Sequence, residues 1–113
     1  MDNSKEVQEV IEELQILEQN LQGFLAQKQM FQVELQEINN ALEELLKTKD
    51  DVYKILSSVM IKADKESLVK DLEEKKKLAE LRIKSIEKQE GSIEERAIAL
   101  RNKISGAVKK DKK

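Results

Sequence analysis

Apolar residues recur at alternating three- and four-residue spacings on both sides of one short stretch, and that pattern leaves few folds open. The first run reads Val7, Val10, Leu14, Leu17, Leu21, Phe24, Lys28, Phe31, Leu35, Ile38, Leu42 and Leu45. Eleven of these twelve positions are apolar. So narrow a stripe, held over six heptads, marks a coiled-coil seam; a helix of a globular bundle would show a wider one. The second run reads Val69, Leu72, Lys76, Ala79, Ile83, Ile86, Glu90, Ile93, Ala97, Leu100, Ile104 and Ala107. It is leaner, with ten apolar positions of twelve, three of them alanine. The spacing predicts one helix over 4–47 and a second over 65–108. Asn3 or Ser4 can cap the first, and Asp64 the second, with Glu6 and Glu66 near the positive dipole ends. The first helix turns a glutamine-rich face outward, including Gln8, Gln15, Gln22 and Gln29, which reads as a solvated surface.

Between the seams lies the one part that does not read as helix, Val52-Tyr53-Lys54-Ile55-Leu56-Ser57-Ser58-Val59-Met60-Ile61-Lys62-Ala63. β-Branched and aromatic residues suit a pleated surface. The reading is two strands, 52–56 and 59–63, around a tight turn at Ser57-Ser58. A lone two-stranded hairpin is marginal in water, and its free edges template pairing with another chain. The hairpin is therefore expected to complete its sheet with other subunits. One face would carry Val52, Lys54 and Leu56, the other Tyr53 and Ile55.

Two seams of equal length joined by a short connector predict an antiparallel helical pair, with arms of roughly 60 Å at 1.5 Å per residue. Facing residues in such a pair have numbers with a constant total. Glu13 and Lys103 total 116, as do Glu34 and Arg82; Glu18 and Arg101 total 119, as do Ile11 and Val108. These matches support a single register. They also place the two awkward seam residues Lys28 and Glu90 in neighbouring layers, where they are expected to meet. Gly23 and Gly91 fall at about the same level, outside the seam. Each costs roughly 1 kcal/mol against alanine. A soft level is expected there, with residues 1–22 and 92–108 bending or fraying more readily than the rest. The tail 109–113 is basic and expected to be solvated.

Composition closes off other classes. With no cysteine and no histidine, thiol chemistry, disulfides and imidazole catalysis are excluded, and no cofactor or metal site is expected. Acidic residues are many but spread around helices, with no partner base, and nothing resembles a glycine-rich phosphate loop. An enzyme is not expected. The absence of cysteine fits a reducing compartment. The N-terminus lacks an apolar core for a signal peptide, and no run of about 18 apolar residues is present for a membrane span. Net charge is −2, split between −7 over residues 1–57 and +5 over 58–113. A nucleic-acid binder would show a larger positive excess, so no nucleic-acid partner is expected.

The stretch Val52-Tyr53-Lys54-Ile55-Leu56-Ser57-Ser58-Val59-Met60-Ile61-Lys62, with long helices on both sides, resembles the hairpin motif of β-class prefoldin subunits. Residues 81–90, Leu81-Arg82-Ile83-Lys84-Ser85-Ile86-Glu87-Lys88-Gln89-Glu90, resemble the second helix of those proteins. The likeness covers nearly the whole chain, read as one subunit over 1–113. That family usually carries a glycine-containing turn where Ser57-Ser58 stand here. The short connector has room for one hairpin, as in the single-hairpin β class of archaeal type.

The resemblance implies a mainly α protein, a long antiparallel two-helix coiled coil whose hairpin joins others in an oligomeric β-barrel platform. It implies an ATP-independent cytoplasmic chaperone, a hexamer of two α-class and four β-class subunits. Such a hexamer holds unfolded polypeptides at its coiled-coil tips and delivers them to a group II chaperonin. The subunit interface would then use Val52, Tyr53, Ile55, Leu56, Val59, Met60 and Ile61. Substrate binding would use apolar groups near the tips: Val7, Val10, Ile11, Leu14 and Leu17 on the first helix, and Ile98, Ile104 and Val108 on the second. Ile98 lies off the seam; most of the others double as seam residues. The alternative is a structural coiled-coil adaptor that oligomerises through the hairpin without affinity for unfolded chains.

Overall fold

A computed structural model describes residues 2–111, with the side chains of 4–106. Helix α1 spans Asp2–Lys47, strand β1 Val52–Leu56, strand β2 Val59–Ala63 and helix α2 Lys65–Asp111. The strand bounds agree with the expectation. Helix α1 starts two residues early, so Asn3 and Ser4 lie inside its first turn and not ahead of it. Helix α2 runs three residues past the expected end, because Ala107, Val108 and the lysines after them continue a helix and suit its negative end. The chain divides into two compact units: a terminal unit of residues 1–28 and 85–113, and a hairpin unit of residues 29–84.

In the terminal unit the seam holds as read. Val10, Ile86, Ala97 and Leu100 are buried, and Val7, Leu14, Leu17, Leu21, Phe24, Ile93 and Ile104 are half-buried. In the hairpin unit Ile38, Leu42, Leu45 and Ala79 are buried, with Phe31, Leu35, Val69, Leu72, Lys76 and Ile83 half-buried around them. No described seam residue of either helix is exposed.

Lys28 and Glu90 meet as expected: Nζ donates to Oε1 at 2.8 Å, and both side chains are largely covered. That hydrogen bond, reinforced by the charges of Glu90, Glu87 and Glu94, holds the Lys28 ammonium above its ordinary value of 10.5, against the opposing pull of burial. A raised lysine value means the contribution is complete below pH 10.5 and is lost as pH rises through the folded value. The pair is therefore insensitive to pH near neutrality. Its main effect is on register, since either residue alone leaves a charge in an apolar seam. Lys28→Leu and Glu90→Leu are each expected to lower the denaturation midpoint, while the double variant recovers at least the parent value. Additive losses in that cycle would contradict the pairing.

The flanking charges pair differently from the expectation. Glu13 meets Arg96, with Nη2 to Oε1 at 3.0 Å, and Glu6 meets Lys103 at 3.2 Å. Both pairs total 109, one heptad below 116. Flank positions repeat every seven residues, so charge matching alone leaves the partner ambiguous by one heptad. Arg82 does not reach Glu34 as its partner; its guanidinium lies over the Phe31 ring, 5.3 Å from the centroid.

The connector is tied down by short-range chemistry. The Thr48 N–H donates to the Glu44 carbonyl and Asp50 N–H to Thr48 Oγ1. Lys65 Nζ donates to the Thr48 carbonyl at 2.8 Å, placing a cation at the negative end of α1. Asp64 caps α2 as read, accepting from the Ser67 N–H at 3.2 Å and the Ser67 hydroxyl at 2.9 Å.

Candidate functional site

Strands β1 and β2 pair antiparallel, with Val52 opposite Ala63, Tyr53 opposite Lys62, Lys54 opposite Ile61, Ile55 opposite Met60 and Leu56 opposite Val59. Opposed residues share a face. One face therefore carries Tyr53, Ile55 and Met60 with Lys62. The other carries Val52, Leu56, Val59, Ile61 and Ala63 with Lys54. Ser57 and Ser58 both have positive φ, 47° and 70°, the signature of a type I′ turn. That turn matches the twist of the strands and here is made without glycine, at about 1 kcal/mol or more for each serine. Lys62 and Asp51 form an ion pair of 3.5 Å at the open end.

Tyr53, Leu56, Val59 and Ile61 are exposed, as are Ile55 at 70% and Met60 at 66%; only Val52 of the seven expected interface residues is half-buried. Among the described residues no third strand covers either edge. The apolar exposure continues off the hairpin. Lys54 lines a cleft of about 310 Å³ with Leu68, Leu72 and Leu78 of α2. Leu46, Leu78 and Leu81 are exposed as well. Sequence reasoning missed these three; the available signal was a leucine outside the three–four register.

The terminal unit holds the second feature. A cleft of about 580 Å³ opens between α1 and α2 over Leu14, Leu17, Leu21, Ile93 and Ala97, rimmed by Glu18, Gln22, Glu94, Ile98 and Arg101. Ala97, one of the three alanines of the leaner seam, leaves space beside the leucines. Glu18 and Arg101, expected to bridge, line this cleft without an ion pair. Of the expected substrate-binding residues, Leu14, Leu17 and Ile98 come together here. Ile98 at 53% and Ile11 at 44% are exposed, Val10 at 5% is in the core, and Val7 and Ile104 are half-buried. The Val108 side chain falls outside the described residues.

An antiparallel helical pair ending in an uncovered, two-sided apolar hairpin defines a class: a coiled-coil subunit with an unfinished sheet. Known proteins of that build match this chain. A family model described as prefoldin subunit matches residues 8–111. The prefoldin subunit beta of Archaeoglobus fulgidus is 37% identical over 105 residues, covering 91% of this chain and 90% of that protein. That of Pyrococcus furiosus is 35% identical over 106 residues, covering 92% and 91%. The crystal structure of the prefoldin beta subunit from Thermococcus strain KS-1 superposes with a TM-score of 0.84 at 33% identity, covering 89% of this chain and 90% of that one. The chain belongs to the prefoldin family of chaperone subunits. No helix among the described residues is long and apolar enough to cross a membrane.

Proposed function

We propose that this chain is the β-class subunit of an ATP-independent cytoplasmic chaperone. In this reading the hairpin joins those of α-class subunits in a β-barrel platform, an α2β4 hexamer. The helical arms hold unfolded polypeptides and deliver them to a group II chaperonin. The observation that carries the reading is the hairpin: six large apolar side chains exposed on ten strand residues need a cover that no other described residue supplies. The holding role rests on the apolar groups of the terminal unit, chiefly Leu14, Leu17, Ile11 and Ile98, with Val7, Val10, Ile104 and Val108 joining them if the helices part.

The test is aggregation of a chemically denatured client diluted into buffer, followed by light scattering. The subunit assembled with a two-hairpin α-class partner is expected to suppress scattering without ATP. Undiminished aggregation would move the account to an adaptor that oligomerises but binds no unfolded chains.

An adaptable arm also fits the glycines. Both Gly23 and Gly91 are exposed inside continuous helix, and a Cβ at either would meet nothing within 4 Å. Nothing in the packing there demands glycine, so each lowers helix stability by roughly 1 kcal/mol without a compensating contact. Amide exchange is expected to be faster over residues 1–22 and 92–108 than over 29–47 and 65–84, and slowed in the Gly23→Ala/Gly91→Ala variant. Uniform protection along both helices would rule this out.

A further inference from the structure

We infer that the cleft of the terminal unit selects client segments in which an apolar side chain stands beside a lysine or arginine; this rests on the chaperone reading above and specifies its ligand. The floor is apolar, made by Leu14, Leu17, Leu21 and Ala97, and its volume of about 580 Å³ admits a large aliphatic or aromatic side chain. The rim decides what accompanies it. Glu18 and Glu94 both stand there, and neither has an ion-pair partner within 4 Å among the described residues. Elsewhere in the same unit Glu6, Glu13 and Glu90 are each paired to a cation. Glu94 adds a weaker attraction to Lys28, whose hydrogen bond goes to Glu90.

Arg101 is the single cation of the rim, and it does not close on Glu18. Two carboxylates against one guanidinium leave the mouth net negative. Over the whole terminal unit the charges nearly balance, eleven acidic residues against ten basic, so the negative mouth rests on Glu18 and Glu94 themselves. A bound segment can therefore place its apolar side chain on the floor and a neighbouring ammonium or guanidinium against Glu18 or Glu94. Arg101 is left to donate to main-chain carbonyls of the segment. Each contact is weak alone; several arms in one assembly would raise the avidity.

The experiment uses the full chain assembled with its two-hairpin partner. Two fluorescein-labelled peptides serve as probes, each with one central phenylalanine in a serine–glycine background, flanked by lysines in one and by glutamates in the other. Anisotropy titration at low salt is expected to show the lysine peptide binding about tenfold tighter. Glu18→Gln/Glu94→Gln should erase that preference. Ala97→Leu, which fills the floor, should weaken both peptides while helicity is retained. Equal affinity of the two peptides, a preference that survives in the glutamine variant, or unchanged binding in Ala97→Leu would each overturn the inference. If aggregation suppression persists alongside such a result, this inference falls alone. If the parent protein neither binds a peptide nor suppresses aggregation, the chaperone reading falls with it.

Discussion

Replacing Ile55 and Met60 together by aspartate is expected to leave two intact helices and no assembly. The two residues face each other across the hairpin, on the face shared with Tyr53, and are the most exposed apolar side chains of the strands. In an isolated subunit the change is benign, because both positions already see water. In an assembled sheet it places a pair of carboxylates where apolar side chains should pack. Each ion then carries an effective desolvation penalty of several kcal/mol, and the burial of two large side chains, about 1.5–3 kcal/mol each, is lost. The sum exceeds what a hairpin interface can absorb. Far-UV circular dichroism should show unchanged helix, while native mass falls to the single subunit. Assembly that survives the double variant would place the interface elsewhere.

The second large effect concerns the ends of both helices. Removing residues 1–12 and 103–113, which leaves the cleft residues Leu14, Leu17 and Arg101 in fraying terminal turns, is expected to abolish client holding and leave the oligomer intact. The truncation deletes Val7, Val10, Ile11, Ile104 and Val108, together with the Glu6–Lys103 ion pair. It leaves the whole hairpin unit, residues 29–84, untouched. Static light scattering of a denatured client reports the first half of the result and native mass the second. A truncated assembly that still holds clients fully would confine binding to the remaining cleft around Leu14, Leu21 and Ala97, or remove it from the arms altogether.

What was legible in the sequence followed from periodicity. A three–four repeat fixes which side of a helix is covered, and the described residues of both seams are buried or half-buried without exception. The strand bounds were legible because Val, Ile, Tyr, Leu and Met crowd 52–63 and a pair of serines interrupts them. The turn type was not, since Ser-Ser carries none of the glycine or asparagine signal that distinguishes turns; only the two positive φ values identify it.

The Lys28–Glu90 contact was legible because two charges stand out in an apolar seam. The flanks were not, because glutamates and basic residues recur at heptad spacing: Glu13 had both Arg96 and Lys103 within choice, and took Arg96. Nor could the cleft be read in advance. It is the space left where Ala97 stands among leucines, a property of how far two backbones approach and not of any residue pattern. The same holds for Leu46, Leu78 and Leu81, which stand outside the seam and are exposed.

The most direct test of the central claim is native mass spectrometry of this chain, alone and mixed with a two-hairpin α-class prefoldin subunit. Alone this chain is expected to run as a monomer or weak oligomer, and the mixture as a hexamer holding four copies of it. A stable dimer of this chain that ignores the partner would contradict the claim, and the exposed hairpin would then belong to a self-contained coiled-coil adaptor.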